Sequence, residues 1–102
     1  MSDLGALSDF VEGRAYPVVH EGRRLVLVRV GESVYVLSDR CSHEDFPLSE
    51  GDVDVADLTI ECARHGAMFS LETGEPHSLP ATQPVTRVDV VVEEGRVRMV
   101  TS

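Results

Sequence analysis

Cys41-Ser42-His43 and, after eighteen intervening residues, Cys62-Ala63-Arg64-His65 decide how this chain is read. The two motifs contain both cysteines and two of the four histidines of the sequence. Each closes a β-like run and enters a polar segment with glycine or proline. Two thiols and two imidazoles in two matched pairs make a four-ligand metal set. Soft thiolates suit zinc, copper or iron–sulfur centres, and imidazole suits zinc or iron. Zinc sites of two cysteines and two histidines usually group like ligands, C-x2-4-C followed by H-x3-5-H, whereas here each pair is mixed. A two-iron cluster of mixed ligation asks for two cysteines on one iron and two histidines on the other. Two facing loops, each giving one thiolate and one imidazole, build that arrangement. A zinc-stabilised interaction module stays open as a reading of another class. So do buried cysteines acting as small hydrophobes and a Cys41–Cys62 disulfide, although no export signal favours the last.

With its surroundings the pair resembles the Rieske 2Fe–2S signature. CSHEDFPLSEGD, residues 41–52, is similar to the first cluster loop of bacterial Rieske ferredoxins, and CARHGAMFSLETGEPHSLP, residues 62–80, to the second loop and its proline-bearing neighbour. The resemblance runs through nearly the whole chain. It implies a 2Fe–2S cluster held by Cys41, His43, Cys62 and His65. The imidazoles would bind through Nδ1 and turn Nε2 to solvent, where an electron enters and leaves. It also implies a shell in which Pro47 with Leu48 and Pro80 shield the cluster and Gly66 lets the backbone turn close to it.

Ligand type sets the broad redox range. An all-thiolate cluster carries two more negative charges, and adding an electron against them at ~5 Å with a dielectric of ~20 costs roughly 7 kcal/mol. That is ~0.3 V, the size of the gap between plant-type and Rieske potentials. High-potential respiratory members of the family carry serine and tyrosine hydroxyls after the second histidine; Ala67 and Phe69 stand there. They also carry a disulfide between the loops; Phe46 and Arg64 occupy about those positions. The resemblance therefore points to a low-potential ferredoxin, at about −150 to 0 mV, with Arg64 as a cation that would favour reduction.

Composition sets the outer bounds. A chain of 102 residues is one domain. A net charge of −9 argues against general nucleic-acid affinity and for a partner with a basic face. No apolar run is long enough for a membrane span. The N-terminus lacks a basic segment followed by an apolar one, so a cytoplasmic location is expected. From Glu44 to Glu61 there are seven acidic residues (Glu44, Asp45, Glu50, Asp52, Asp54, Asp57 and Glu61) and no basic one. They read as a solvated face or as a docking patch beside the redox tip. His20 and His77, without neighbouring cysteines, read as surface residues.

Short Val- and Leu-rich runs separated by glycine turns predict an all-β fold: a Rieske-like antiparallel β-sandwich with a small cluster-binding subdomain, about residues 40–82, inserted between strands. Strands are expected over 15–19, with Pro17 marking an edge, then 24–30, 34–37, 58–61, 67–70, 85–93 and 96–100. The start of the chain offers only a short strand near Ser8–Phe10, or a loose tail. Residues 76–84, with three prolines, read as irregular.

The function these features imply is a soluble one-electron carrier, not a catalyst. By resemblance it takes electrons from a flavin-containing ferredoxin reductase and gives them to the terminal oxygenase of a ring-hydroxylating system. Similar ferredoxins serve iron–sulfur assembly, and the same fold forms the small subunit of nitrite reductase.

Overall fold

The computed structural model describes residues 2–20, 22–40, 47–62, 66–76 and 84–100. These contain ten strands: β1 Ser2–Ala6, β2 Ala15–His20, β3 Arg23–Val30, β4 Ser33–Ser38, β5 Val53–Asp54, β6 Thr59–Glu61, β7 Met68–Ser70, β8 Arg87–Val88, β9 Val90–Glu93 and β10 Arg96–Met99. All pairings among them are antiparallel, in three sheets ordered β1-β10-β9, β2-β3-β4-β8 and β5-β6-β7. The expected all-β architecture is the one observed.

The sheet containing β3 and β4 is the middle layer. Leu25 to Val28 are four consecutive buried residues, as a strand covered on both faces requires. Leu25 and Leu27 join Val36 and, from across the layer, Val97 in one buried cluster. Val26 and Val28 point the other way and pack with Leu37, Ile60 and Phe69. Register enforces this split, since Val26 faces Leu37 across the strands and Leu27 faces Val36. A one-residue slip would exchange the two sets. β2 is an edge strand, which is why Pro17, with no N–H to donate, is tolerated in it.

Two sequence expectations are corrected. Residues 85–93 are not one strand: β8 pairs with β4 in the middle sheet, whereas β9 pairs with β10 in the outer one. The chain changes sheets at Asp89, whose carbonyl accepts from Val100 N at 2.8 Å. An unbroken valine-rich run hides a change of partner, because both sheets ask for the same residue types. At the N-terminus the strand is Ser2–Ala6 and Leu7–Asp9 form a 3-10 turn. Its pairing with β10 is irregular between Asp3 and Gly5. It is also tied by a distant ion pair, in which Arg96 donates to the Asp3 carboxylate at 3.0 and 3.1 Å. Hydrogen bonding from Arg96 holds the Asp3 carboxyl below its usual range.

The third sheet, β5-β6-β7, lies wholly between β4 and β8 in the sequence. It faces the middle sheet through Ile60 and Phe69, both fully buried. Among the described residues no helix is long and apolar enough to cross a membrane.

Candidate metal centre

The flanks of three stretches, residues 41–46, 63–65 and 77–83, are each pinned to this core.

The described residues on either side of the first stretch are joined by one carboxylate. Asp39, only 5% exposed, accepts from Ser49 N at 2.7 Å on Oδ1 and from Ser49 Oγ at 2.7 Å on Oδ2. Its own backbone N–H donates to Arg24 O at 3.0 Å, fixing it to the middle sheet. Pro47 then leads into the 3-10 turn Leu48–Glu50, where Gly51 N donates to Leu48 O at 2.9 Å. Gly51 lies against β6 so closely that a Cβ would sit 1.6 Å from Glu61 O.

The second stretch falls between β6 and β7. Cys62 N donates to Ala67 O at 2.6 Å and Gly66 N to Cys62 O at 2.8 Å. Gly66 has φ +74, a left-handed conformation natural to glycine. The flanks of the third are joined by Val85 N donating to Gly74 O at 2.8 Å and by a bridge between Phe69 and Pro76.

Residues from all three sets of flanks meet in one buried cluster: Leu48 from the first, Cys62 and Ala67 from the second, Val85 from the third, around Phe69. The three sets of flanks therefore spring from a single patch of core. Cys62 is 0% exposed and carries a free thiol. Such an environment suits a metal-bound thiolate shielded from water, and a buried cysteine with a nearby histidine in sequence is the donor chemistry of a mixed cluster.

Among the sequence-predicted site residues, Cys62, Gly66, Ala67, Phe69 and Pro47 are placed as just described. Ala67 and Phe69 are both fully buried, on the chain leaving Cys62 for β7. Cys41, His43, Arg64, His65 and Pro80 lie outside the described residues, as do Phe46 and His77. His20, expected at the surface, is half-buried at the end of β2.

Sequence reasoning missed Asp39, Ser49 and Gly51. The signal available was local: an Asp just before the first cysteine and a Ser-x-Gly closing the same loop. Nothing in one sequence states that the first two meet. Asp39→Ala should cost about 1–2 kcal/mol in denaturant unfolding, because it removes the acceptor of two partly buried donors on Ser49. Ser49→Ala, which removes only the hydroxyl, should cost about 1 kcal/mol or less.

The family model for the Rieske [2Fe-2S] domain matches residues 2–93. The chain belongs to the Rieske family. Its cofactor is accordingly a 2Fe–2S cluster. The 3-phenylpropionate/cinnamic acid dioxygenase ferredoxin subunit of Escherichia coli strain K12 is 40% identical over 89 residues, 87% of this chain and 82% of that protein. Among solved structures, the ferredoxin of carbazole 1,9a-dioxygenase from Nocardioides aromaticivorans IC177 superposes with a TM-score of 0.93 at 31% identity, covering all of both chains. The Sphingomonas yanoikuyae B1 ferredoxin gives 0.89 at 27% identity, covering 98% of this chain and 97% of that one. Nitrite reductase small subunits, at 20% identity, share this Rieske fold.

Proposed function

We propose that this Rieske protein is the ferredoxin component of a ring-hydroxylating oxygenase system, carrying single electrons from a flavin-containing ferredoxin reductase to the terminal oxygenase. What supports the reading most is the convergence of Leu48, Cys62, Ala67 and Val85 on one buried cluster, in a chain 40% identical to a dioxygenase ferredoxin subunit. A carbazole dioxygenase ferredoxin, 37% identical, has been captured in complex with its oxygenase. Cys41 and Cys62 would hold one iron, and His43 and His65 the other. Residues 40–82 would form the cluster-binding unit of a single domain.

The bound cluster supplies a one-electron couple. The chain supplies its surroundings: Asp39 and Ser49 fix the base of the first ligand loop, Gly66 turns the second, and Leu48 and Phe69 keep water from the Cys62 side. Reconstitution tests the assignment. With NADH, a dioxygenase ferredoxin reductase and a terminal oxygenase, adding the chain should restore substrate turnover. Reduction of the chain without turnover would point to a different acceptor.

Buried Ala67 and Phe69 offer no hydroxyl near Cys62, so the potential should fall at about −150 to 0 mV. Ala67→Ser should raise it. A hydrogen bond worth about 1 kcal/mol more in the reduced state adds about 40 mV for one electron. A wild-type value above about +200 mV would contradict the reading.

A further inference from the structure

Glu61 stands where the third sheet meets the second ligand stretch. It is the last residue of β6, and Cys62 follows it directly. Its backbone is fixed from both sides, since its N–H donates to Asp52 O at 2.8 Å and it pairs with Met68 of β7. Ile60 faces the core, so the Glu61 side chain starts on the other face of the sheet. From there its carboxylate reaches Gly66: a Cβ built on Gly66 would lie 3.5 Å from Glu61 Oε2. Gly66 N in turn donates to Cys62 O at 2.8 Å. The carboxylate therefore lies against the closure of the stretch that begins at Cys62 and contains His65, the residue before Gly66. Glu61 is half-buried, so salt and solvent screen its charge less than that of an open surface group. The ion pairs seen among the described residues, Arg87–Asp89 and Arg96–Asp3, lie outside this sheet.

We propose that Glu61 lowers the reduction potential of the cluster, its carboxylate acting as a fixed negative charge that opposes arrival of the electron. The proposal rests on the assignment of Cys62 and His65 as ligands. An electron arriving at the site adds one negative charge, and Coulomb repulsion from a neighbouring carboxylate favours the oxidised state. No bond is made or broken and no proton moves. The effect is opposite in sign to that expected of Arg64. It is also separate from the lack of hydroxyls at Ala67 and Phe69, because it acts through charge and not through a hydrogen bond to sulfur. A lower potential makes the reduced chain a stronger donor to its acceptor.

The test is a mediated redox titration of anaerobic, cluster-loaded protein at neutral pH, followed by the visible spectrum. Glu61→Gln keeps the shape of the side chain and removes its charge. At a given solution potential it should raise the ratio of reduced to oxidised protein about threefold or more, a shift of about +30 mV for one electron. Glu61→Asp keeps the charge on a shorter stem and should move the potential less. Asp54→Asn serves as the control. It lies one strand further from Cys62 and keeps an acceptor oxygen for Ala56 N and Asp57 N, so it should change the ratio by less than about 1.5-fold. The melting temperature of Glu61→Gln should stay close to that of the wild type. An unchanged or lowered potential in Glu61→Gln, or an equal rise in Asp54→Asn, would overturn the proposal. So would a fall in melting temperature without a shift in potential, which would leave Glu61 a purely structural role. Iron content and the visible spectrum of the same samples separate the two readings. A wild-type potential in Glu61→Gln with an intact cluster refutes the role of Glu61 alone. Wild-type protein that takes up no 2Fe–2S cluster refutes the ligand assignment, and this proposal with it.

Discussion

Gly51→Ala should destabilise the chain by about 4 kcal/mol or more, enough to remove most of the stability of a domain this size. The reason is purely steric. Gly51 has φ −89, which any residue adopts, but its added Cβ would stand 1.6 Å from the backbone oxygen of Glu61 and 3.3 Å from that of Leu48. Both obstacles are main chain, so no rotamer change relieves them. Relief requires moving the Leu48 turn away from β6, and these are the elements that carry the flanks of the two ligand loops. Thermal unfolding should fall by about 20 °C, with cluster yield falling in parallel. Gly95→Ala is the control. Gly95 has φ +75, but a Cβ there would meet nothing within 4 Å, so this variant should lose only about 1 kcal/mol. Equal losses in the two variants would show that close approach of Gly51 to β6 is not what matters.

Phe69→Ala should cost about 3–5 kcal/mol. Phe69 is among the largest fully buried side chains. It lies in the cluster that joins the middle sheet, through Val26 and Val28, to Leu48 and Cys62. Truncation leaves a void beside the thiol as well as a weaker core. Two readouts should therefore move together: the unfolding midpoint drops, and bleaching of the visible spectrum under chelator accelerates. Phe69→Leu keeps most of the volume and should cost about 1.5 kcal/mol or less. Destabilisation by Phe69→Ala without faster bleaching would separate core packing from cluster shielding.

Much of the fold was legible because most strands announce themselves locally. The run from Arg24 to Val30 reads as a strand from its density of valine and leucine, and glycine turns delimited its neighbours. What escaped depends on partners far away in the chain. β1 exists because β10 offers Asp3 a guanidinium and an edge to pair with. The valines after Thr86 divide between two sheets whose demands on composition are identical. The site followed the same rule. Paired Cys and His motifs are dense local chemistry, readable at sight. The Asp39–Ser49 clasp and the contact of Gly51 with Glu61 join residues ten apart in the chain, and appear only when the backbone is in place.

The proposed electron transfer rests on an iron pair held unequally, thiolates on one side and imidazoles on the other. The most direct measurement is the Mössbauer spectrum of anaerobically purified, iron-57-enriched protein, with iron and acid-labile sulfide determined on the same sample. About two irons and two sulfides per chain are expected, with two ferric sites of equal population and different ligation. A single kind of iron site, no labile sulfide, or zinc in place of iron would contradict it.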